Sequence, residues 1–268
     1  MRGLAILTGL AASTPTHLRL LTLNCLWRGR AAARLAAVAR WLERSDLDVV
    51  CLQEVIVRRR IGLLRALAPS FPHVVHRPFG IAVLGGLVTL SRWPVAAQRY
   101  AVFRRLGRWS NLGWTDRVIR KGYLVSELDV GGRRLVVVNT HLAANYAGSW
   151  TRSNGYAALQ AAELGQLAEA VADIAPPLVV AGDLNVPAGT WLFDDFVGRT
   201  GLRDSFDGTA APTWRPAEPG SGAIDHVLVR GCAVVSAELC FQEPVELAGG
   251  RREPVSDHLG VRTALRID

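Results

Sequence analysis

Four short polar clusters carry the chemistry available to this chain: Gln53-Glu54, Asn139-Thr140-His141, Gly182-Asp183-Leu184-Asn185 and Ser256-Asp257-His258. Each follows or borders an apolar run of the kind that forms a buried strand, such as Asp48-Val49-Val50-Cys51-Leu52 or Leu178-Val179-Val180-Ala181. Strands that end together present their last side chains to one cleft. Carboxylates, amides and imidazoles gathered there are what a hard divalent cation and a phosphate ester require. The pattern predicts a metal-dependent phosphoester hydrolase.

Each residue type suggests a part. Asn24 closes the first strand, and Glu54 follows a run apolar enough to hold its carboxylate near the interior, where it needs a cation or several donors. Magnesium takes one or two carboxylates with an amide oxygen and retained waters, so Glu54 and Asn24 are candidate Mg2+ ligands, with Mn2+ a substitute; a strand end turning into solvent, with Asn24 as a cap, is the plainer alternative. Asp183 and Asn185 flank Leu184, and spacing of two on an extended chain points both side chains the same way. The carboxylate would orient the attacking water and the amide would donate to a phosphoryl oxygen; an Asx-turn before Pro187 uses the same residues. His141 either is a satisfied core group or stabilises charge beside a phosphate. His258 is the general-base candidate, since imidazole titrates near neutrality, and Asp225 is the carboxylate expected on its other nitrogen. Asp257 is placed to reach a metal. His226, beside Asp225, is read as a strand residue without a catalytic part.

The elements that must position these groups follow from periodicity and punctuation. Strands are expected at 17–24, 48–53, 81–91, 95–103, 121–130, 133–140, 178–182, 224–230, 232–239 and 261–266. Helices are expected at 31–43, 61–68, 152–173 and 191–199. Gly131-Gly132 reads as a hairpin turn that makes its flanking strands antiparallel. Alternating strands and helices mixed with hairpins suit an α/β (α+β) four-layer sandwich, in which two mixed sheets pack face to face between helices. Residues 1–16 form an N-terminal extension or a short signal segment, and 17–268 form the catalytic domain.

The totals set the class of partner. Half of the 268 residues are hydrophobic and 20% are charged, so a large core is available, and no apolar run is long enough for a transmembrane helix. A net charge of +8 favours an anionic partner. The basic residues number 31, and Lys121 is the only lysine among them; an ammonium and a guanidinium are not equivalent near a phosphate. The four cysteines lack metal-type spacing and read as core thiols. The segment 99–121 carries seven basic residues, from Arg99 through Arg108 to Lys121, against Asp116 alone, with Tyr100, Phe103, Trp109 and Trp114 interleaved. That composition suits a peripheral membrane contact or a nucleic-acid backbone. The compartment is open: the cytoplasm is favoured, and secretion follows if residues 1–13 are a signal.

Taken together and in this order, the clusters resemble the endonuclease/exonuclease/phosphatase superfamily, whose fold is a DNase I-like four-layer sandwich. The resemblance runs from about His17 to Arg266. It implies that Asn24 and Glu54 bind metal, with Asp257 able to join them. It gives Asp183 and Asn185 the water and the phosphate, His141 the pentacovalent state, and His258, oriented by Asp225, the base. Within that superfamily the neutral-sphingomyelinase branch is the most similar, through Lys121-Gly122, the stretch Thr140-His141-Leu142-Ala143-Ala144-Asn145-Tyr146, the helix stretch Gln160-Ala161-Ala162-Glu163-Leu164, and Gly86-Leu87 leading to Ser91-Arg92-Trp93-Pro94. Lys121 would then contact the substrate phosphate, and Trp109, Trp114 and Tyr146 are candidates to face a quaternary ammonium. The expected activity is sphingomyelinase-like cleavage of a phospholipid headgroup. A nuclease acting on DNA or RNA with the same machinery is the first alternative, and a non-catalytic anionic-lipid-binding module the second.

Overall fold

The computed structural model describes residues 16–106, 114–217 and 221–267. One six-stranded sheet contains β1 (Thr16–Asn24), β2 (Val49–Gln53), β3 (His73–Phe79), β4 (Ala82–Ser91), β11 (Ala233–Cys240) and β14 (Gly260–Ile267), in the order β11-β14-β1-β2-β4-β3. The other contains β5 (Val95–Val102), β6 (Gly122–Val130), β7 (Arg133–His141), β8 (Leu178–Asp183), β9 (Arg203–Asp204) and β10 (Asp225–Arg230), in the order β5-β6-β7-β8-β10-β9. A two-stranded ribbon joins β12 (Val245–Glu246) to β13 (Arg252–Glu253). The helices are α1 (Ala31–Glu43), α2 (Arg59–Leu67), α3 (Trp114–Ile119), α4 (Gly155–Ala172) and α5 (Trp191–Thr200).

Side-chain alternation explains why the layers stack. On β1, Leu21 and Leu23 pack outward with Val50 and Leu52 of β2 against Leu35, Val38 and Leu42 of α1 and Ile61 and Leu64 of α2. The alternate residues Leu18, Leu20, Val49 and Cys51 face inward and meet Val137, Val179, Ala181, Val227 and Val229 of the second sheet. The second sheet's other face, Val136, Val138, Leu178 and Val180, is covered by Leu164, Leu167 and Val171 of α4 and by Leu192, Phe193 and Phe196 of α5. Each fully buried Leu or Val side chain contributes roughly 1.5–3 kcal/mol by leaving water. The order is helices, sheet, sheet, helices: the expected four-layer sandwich.

Two parallel pairings fix where strands end. β1 runs parallel to β2, with Asn24 opposite Gln53, and β7 runs parallel to β8, with His141 opposite Asp183. β10 is antiparallel to β8, which sets Asp225, its first residue, against Asp183. β14 is antiparallel to β1, so the residues just before Gly260 arrive beside the end of β1. Four strand ends and two strand starts thereby share one edge of the sandwich.

The expected hairpin at Gly131-Gly132 is present, with Val130 paired to Arg133. The helix expected from 152 starts at Gly155, because the Asn154 side chain accepts the Tyr156 N–H and caps it there. β3, α3 and the two-residue strands β9, β12 and β13 were not expected from the sequence. The four cysteines are unpaired; Cys25, Cys51 and Cys232 are buried and Cys240 is partly so. Among the described residues no helix is long and apolar enough to cross a membrane. Residues 1–13, Arg108 and Trp109 lie outside the described residues.

Candidate active site

The face of each strand that turns toward the opposite sheet is apolar in its middle and polar at the shared edge. β1 reads Leu18, Leu20, Thr22, Asn24; β2 reads Val49, Cys51, Gln53; β7 reads Leu135, Val137, Asn139, His141; β8 reads Val179, Ala181, Asp183. β10, running the other way, reaches Asp225 through Val229 and Val227. The site is thus the polar end of the inter-sheet interior, and all these polar groups are buried.

A lower tier holds the sheets in register. Gln53 Nε2 donates to Asn139 Oδ1 across the interface at 2.8 Å and to Thr22 Oγ1 at 3.0 Å. Asn139 Nδ2 in turn donates to the carbonyls of Leu52 and Val88. Buried amides bonded across the interface in this way fix one arrangement of the two sheets.

The upper tier centres on Asp183. Its Oδ2 accepts from Asn24 Nδ2 at 3.0 Å and lies 3.4 Å from His141 Nε2 and 3.8 Å from His258 Nε2. Asn24 Nδ2 also lies 3.3 Å from Glu54 Oε1. His258 Nδ1 bonds Asp225 Oδ2 at 2.8 Å, the orienting contact expected of a general base. Asp183 Oδ1 accepts the Asn185 N–H, so the Asx-turn alternative is realised, and Asn185 Nδ2 still reaches the Leu142 carbonyl at 3.1 Å. Ser256 Oγ donates to the Asn24 carbonyl and ties the loop of Asp257 and His258 to the end of β1. Asp257, half-buried, lies beside Ser256 and adds negative charge near His258. Of the nine residues singled out from the sequence, eight form one bonded cluster, and Asp257 borders it.

Glu54 and Asn185 both have left-handed backbone, with φ of 61° and 52°. Such residues are held against a conformational cost by their surroundings. At Glu54 the surrounding is Gly86, whose absent side chain makes room: a Cβ there would stand 3.1 Å from the Glu54 Cα.

Lys121 reaches the cluster with its three donors engaged: Asp116 Oδ1 at 3.2 Å, His141 Nε2 at 3.0 Å and the Leu142 carbonyl at 2.8 Å. Burial alone would lower its pKa, but Asp116, with Asp183 and Glu163 behind it, raises it, and the ammonium stays charged. His141 is driven the other way, well below the usual imidazole value, by burial and then by Lys121, so it is neutral. Burial and the Asp225 charge raise the Asp183 carboxyl. For His258 burial is outweighed by Asp225 and Asp183, which push it to about 10.

Those shifts test the fit of a cation. A base must be neutral to accept a proton, yet the surrounding carboxylates hold His258 protonated at neutral pH. Asp183, Asp225 and His258 offer ligand atoms within 4.8 Å of one another, and Asn24 joins Asp183 to Glu54. A positive ion amid these carboxylates offsets what raises His258 and Asp183. The donor set, carboxylates and an amide, suits Mg2+.

Three supporting residues escaped the sequence reading or entered it only as resemblance. Asp116 was noted merely as the one acid of a basic segment, yet it pairs with Lys121. On α4, Gln160 Nε2 donates to the carbonyls of Ala143 and Asn185 while its Oε1 accepts from Trp150. Glu163 accepts the Ala143 N–H. The helix thus clamps the two loops that carry His141 and Asn185. The expected basic and aromatic segment is only partly available: Phe103 is buried, and Tyr100 donates its hydroxyl to the Arg120 carbonyl. A groove of about 630 Å³ lined by Arg104, Arg105, Arg117, Asn154 and Tyr156 opens beside Ala147, next to Tyr146. His226 packs on Phe193 and bonds the Val186 carbonyl.

The fold and site define a class, and comparison agrees: residues 21–258 match the Endonuclease/Exonuclease/phosphatase family model, and the chain belongs to that family. A Drosophila melanogaster protein named as a neutral sphingomyelinase is 27% identical over 94% of this chain and 61% of its own length. An inositol phosphosphingolipids phospholipase C of Saccharomyces cerevisiae is 28% identical over 62% of this chain and 35% of its own length. The chain therefore spans less than two thirds of either relative. The Staphylococcus aureus beta toxin, in a crystal structure with bound magnesium ions, shares the fold with a TM-score of 0.70 at 17% identity, over 92% of this chain and 99% of that one.

Proposed function

We propose that this chain is a metal-dependent phosphodiesterase of sphingomyelinase type, which releases a phosphorylated headgroup from a sphingophospholipid by in-line attack of water. The observation that carries the reading is the buried Asp225–His258 hydrogen bond facing Asp183 and His141. The named activities of the two sphingolipid-acting relatives support the choice of substrate.

His258 takes the proton of the attacking water at Nε2, while Asp225 at Nδ1 holds the ring and stabilises the imidazolium. Asp183 orients that water. Asn185 donates to a phosphoryl oxygen as charge grows on it, and His141, which accepts from Lys121 at Nε2, couples the ammonium charge to that site. Lys121 supplies a positive charge, either at the phosphate or through His141. Bound by Glu54, Asn24 and Asp183, with Asp257 at the border, Mg2+ (or Mn2+ in its place) would supply a Lewis acid for the phosphoryl oxygen. Tyr146, half-exposed at the mouth, offers a face to a headgroup ammonium. The remaining arginines of 99–121 supply a peripheral contact to anionic lipid.

Hydrolysis of sphingomyelin in mixed micelles tests this. Phosphocholine should appear with Mg2+, vanish with chelator, and fall by about 10²–10⁴ in His258→Ala. No metal-dependent release from sphingomyelin or an inositol phosphosphingolipid would overturn the substrate class. The groove with Arg104 and Arg105 favours a second reading, cleavage of a nucleic-acid backbone; plasmid nicking at low salt that His258→Ala abolishes would establish it in place of the first.

A further inference from the structure

The described residues with large, exposed apolar side chains are not scattered. Seven stand out: Trp27, Phe79, Ile81, Val118, Tyr146, Trp214 and Val235. Trp27, Val118, Tyr146 and Trp214 border the site, Phe79 and Ile81 stand beyond it on the same edge of the sandwich, and Val235, on β11, lies apart. The Trp27 N–H donates to Glu54 Oε2. Trp214 pairs by a single bridge with His258. Tyr146 feels the charges of Lys121, Asp116 and Glu54, and Val118 stands between Asp116 and Lys121 on and beyond α3. Phe79 and Ile81 form the tip of the β3–β4 hairpin, and the Ile81 carbonyl accepts the N–H of Arg58, four residues beyond Glu54. Along β4 the tip projects roughly 15 Å past Gly86, the residue that backs Glu54.

The tip is the most exposed part of this rim. Ile81 is 90% accessible and Phe79 48%. Arginines surround the tip. Residues 55–115 contain ten arginines and no aspartate or glutamate. The Arg120 guanidinium lies over the Phe79 ring, 5.6 Å from its centroid, and Arg58 Nη1 reaches the Gly80 carbonyl at 3.4 Å. Arg77 is exposed one strand position away. Trp27 has the same arrangement, with Arg28 5.6 Å over its ring. An apolar point ringed by arginines has the profile of a group that enters the boundary between lipid headgroups and chains while its guanidinium groups stay with the phosphates.

We propose that the hairpin tip Phe79-Gly80-Ile81 is a docking element for an anionic phospholipid bilayer. Phe79 and Ile81 enter the chain boundary, Arg58, Arg77 and Arg120 take lipid phosphates, and the mouth of the site is held toward the surface. The inference rests on the lipid reading of the site, but binding is separable from hydrolysis. It also assigns the apolar membrane contact to β3–β4, since Phe103 of the segment 99–121 is buried and the Tyr100 hydroxyl is engaged.

The test is co-sedimentation in chelator, where no turnover occurs, with phosphatidylcholine vesicles that contain or lack phosphatidylserine. The full chain should bind the anionic vesicles. The double substitution Phe79→Ser, Ile81→Ser should weaken that binding about tenfold or more, while Val235→Ser leaves it unchanged. Both sites are solvent-facing, so thermal melts should match, and hydrolysis of a water-soluble phosphodiester, such as bis(4-nitrophenyl) phosphate, should be unaltered in the double variant. Arg77→Glu with Arg120→Glu should weaken binding to anionic vesicles alone, most strongly at low salt. Equal vesicle binding by the wild type and the serine variant would overturn the proposal. So would self-association, or retention of duplex DNA, that depends on Phe79 and Ile81. Failure of the sphingomyelinase reading with vesicle binding intact would leave the docking element standing and move the substrate elsewhere.

Discussion

The interior between the two sheets has two ends built from the same strands and obeying opposite rules. Toward the start of β1 it is filled by Leu18, Leu20, Leu135, Leu265 and Ile267. Six residues beyond Leu18 along β1 the same face presents Asn24, with His141, Asp183 and Asp225 across from it. The first end gains stability from area removed from water. The second buries carboxylates and imidazoles that cost stability, and it is held by bonds aimed at one another. The comparison shows that the chemistry needed no separate scaffold: one side chain in two, continued past the apolar core, delivers it.

Exchanging the rules of the two ends should break the comparison most visibly. Asp183→Asn should cut hydrolysis by about 10²–10⁴ and leave the melting temperature held or raised, since the burial and neighbouring charge that lift its pKa act against the ionised form in the fold. Thermal melts beside rate measurements check this; a collapse in Tm would show the residue to be structural. Val179→Asp, four residues back on the same face, should do the reverse. An unpaired charge in that core costs upward of about 4 kcal/mol, so the soluble folded yield, measured by urea titration, should fall.

The border between the ends gives a smaller effect. Asn139→Ala takes their Asn139 donor from the Leu52 and Val88 carbonyls and one acceptor from Gln53, which keeps Thr22, at about 1–3 kcal/mol for each group left unmet. Urea unfolding should record that loss, and hydrolysis should fall less than in Asp183→Asn. Smallest is the effect of Glu163, whose carboxyl burial pushes up to about 8, with Lys121 opposing and Asp116 adding to the shift. An unfolded glutamate loses its proton at about 4.3. Between those values the unfolded chain binds fewer protons than the folded one, so stability declines as pH rises through the window and levels off above it. Glu163→Gln keeps an acceptor for the Ala143 N–H and should flatten the slope of Tm against pH from 5 to 8; an unchanged slope would place the titration in another group.

The parts legible in the sequence were those written locally. The apolar runs of β2 and β8, the glycine pair between β6 and β7, and the polar residue closing each run announced both the layers and the cluster. β3 was hidden because His73, His76, Arg77 and Pro78 interrupt any alternation. It is an edge strand with a bulge between His76 and Pro78, where proline is tolerated. α3 has six residues, too few to show a period. Asp116, Gln160 and Glu163 act through space, on Lys121 and on loop backbones more than fifteen residues away in two of the three cases, and no spacing in the chain reveals such a meeting. The docking tip was missed for a related reason: Phe79 and Ile81 look like core residues until the turn at Gly80 puts them outside.

β1 takes its two neighbours from distant parts of the chain, β2 soon after it and β14 some two hundred and forty residues later. His258 stands two residues before β14, so the pairing of β14 with β1 is what carries it to Asp225 and Asp183, both of which lie earlier in the chain.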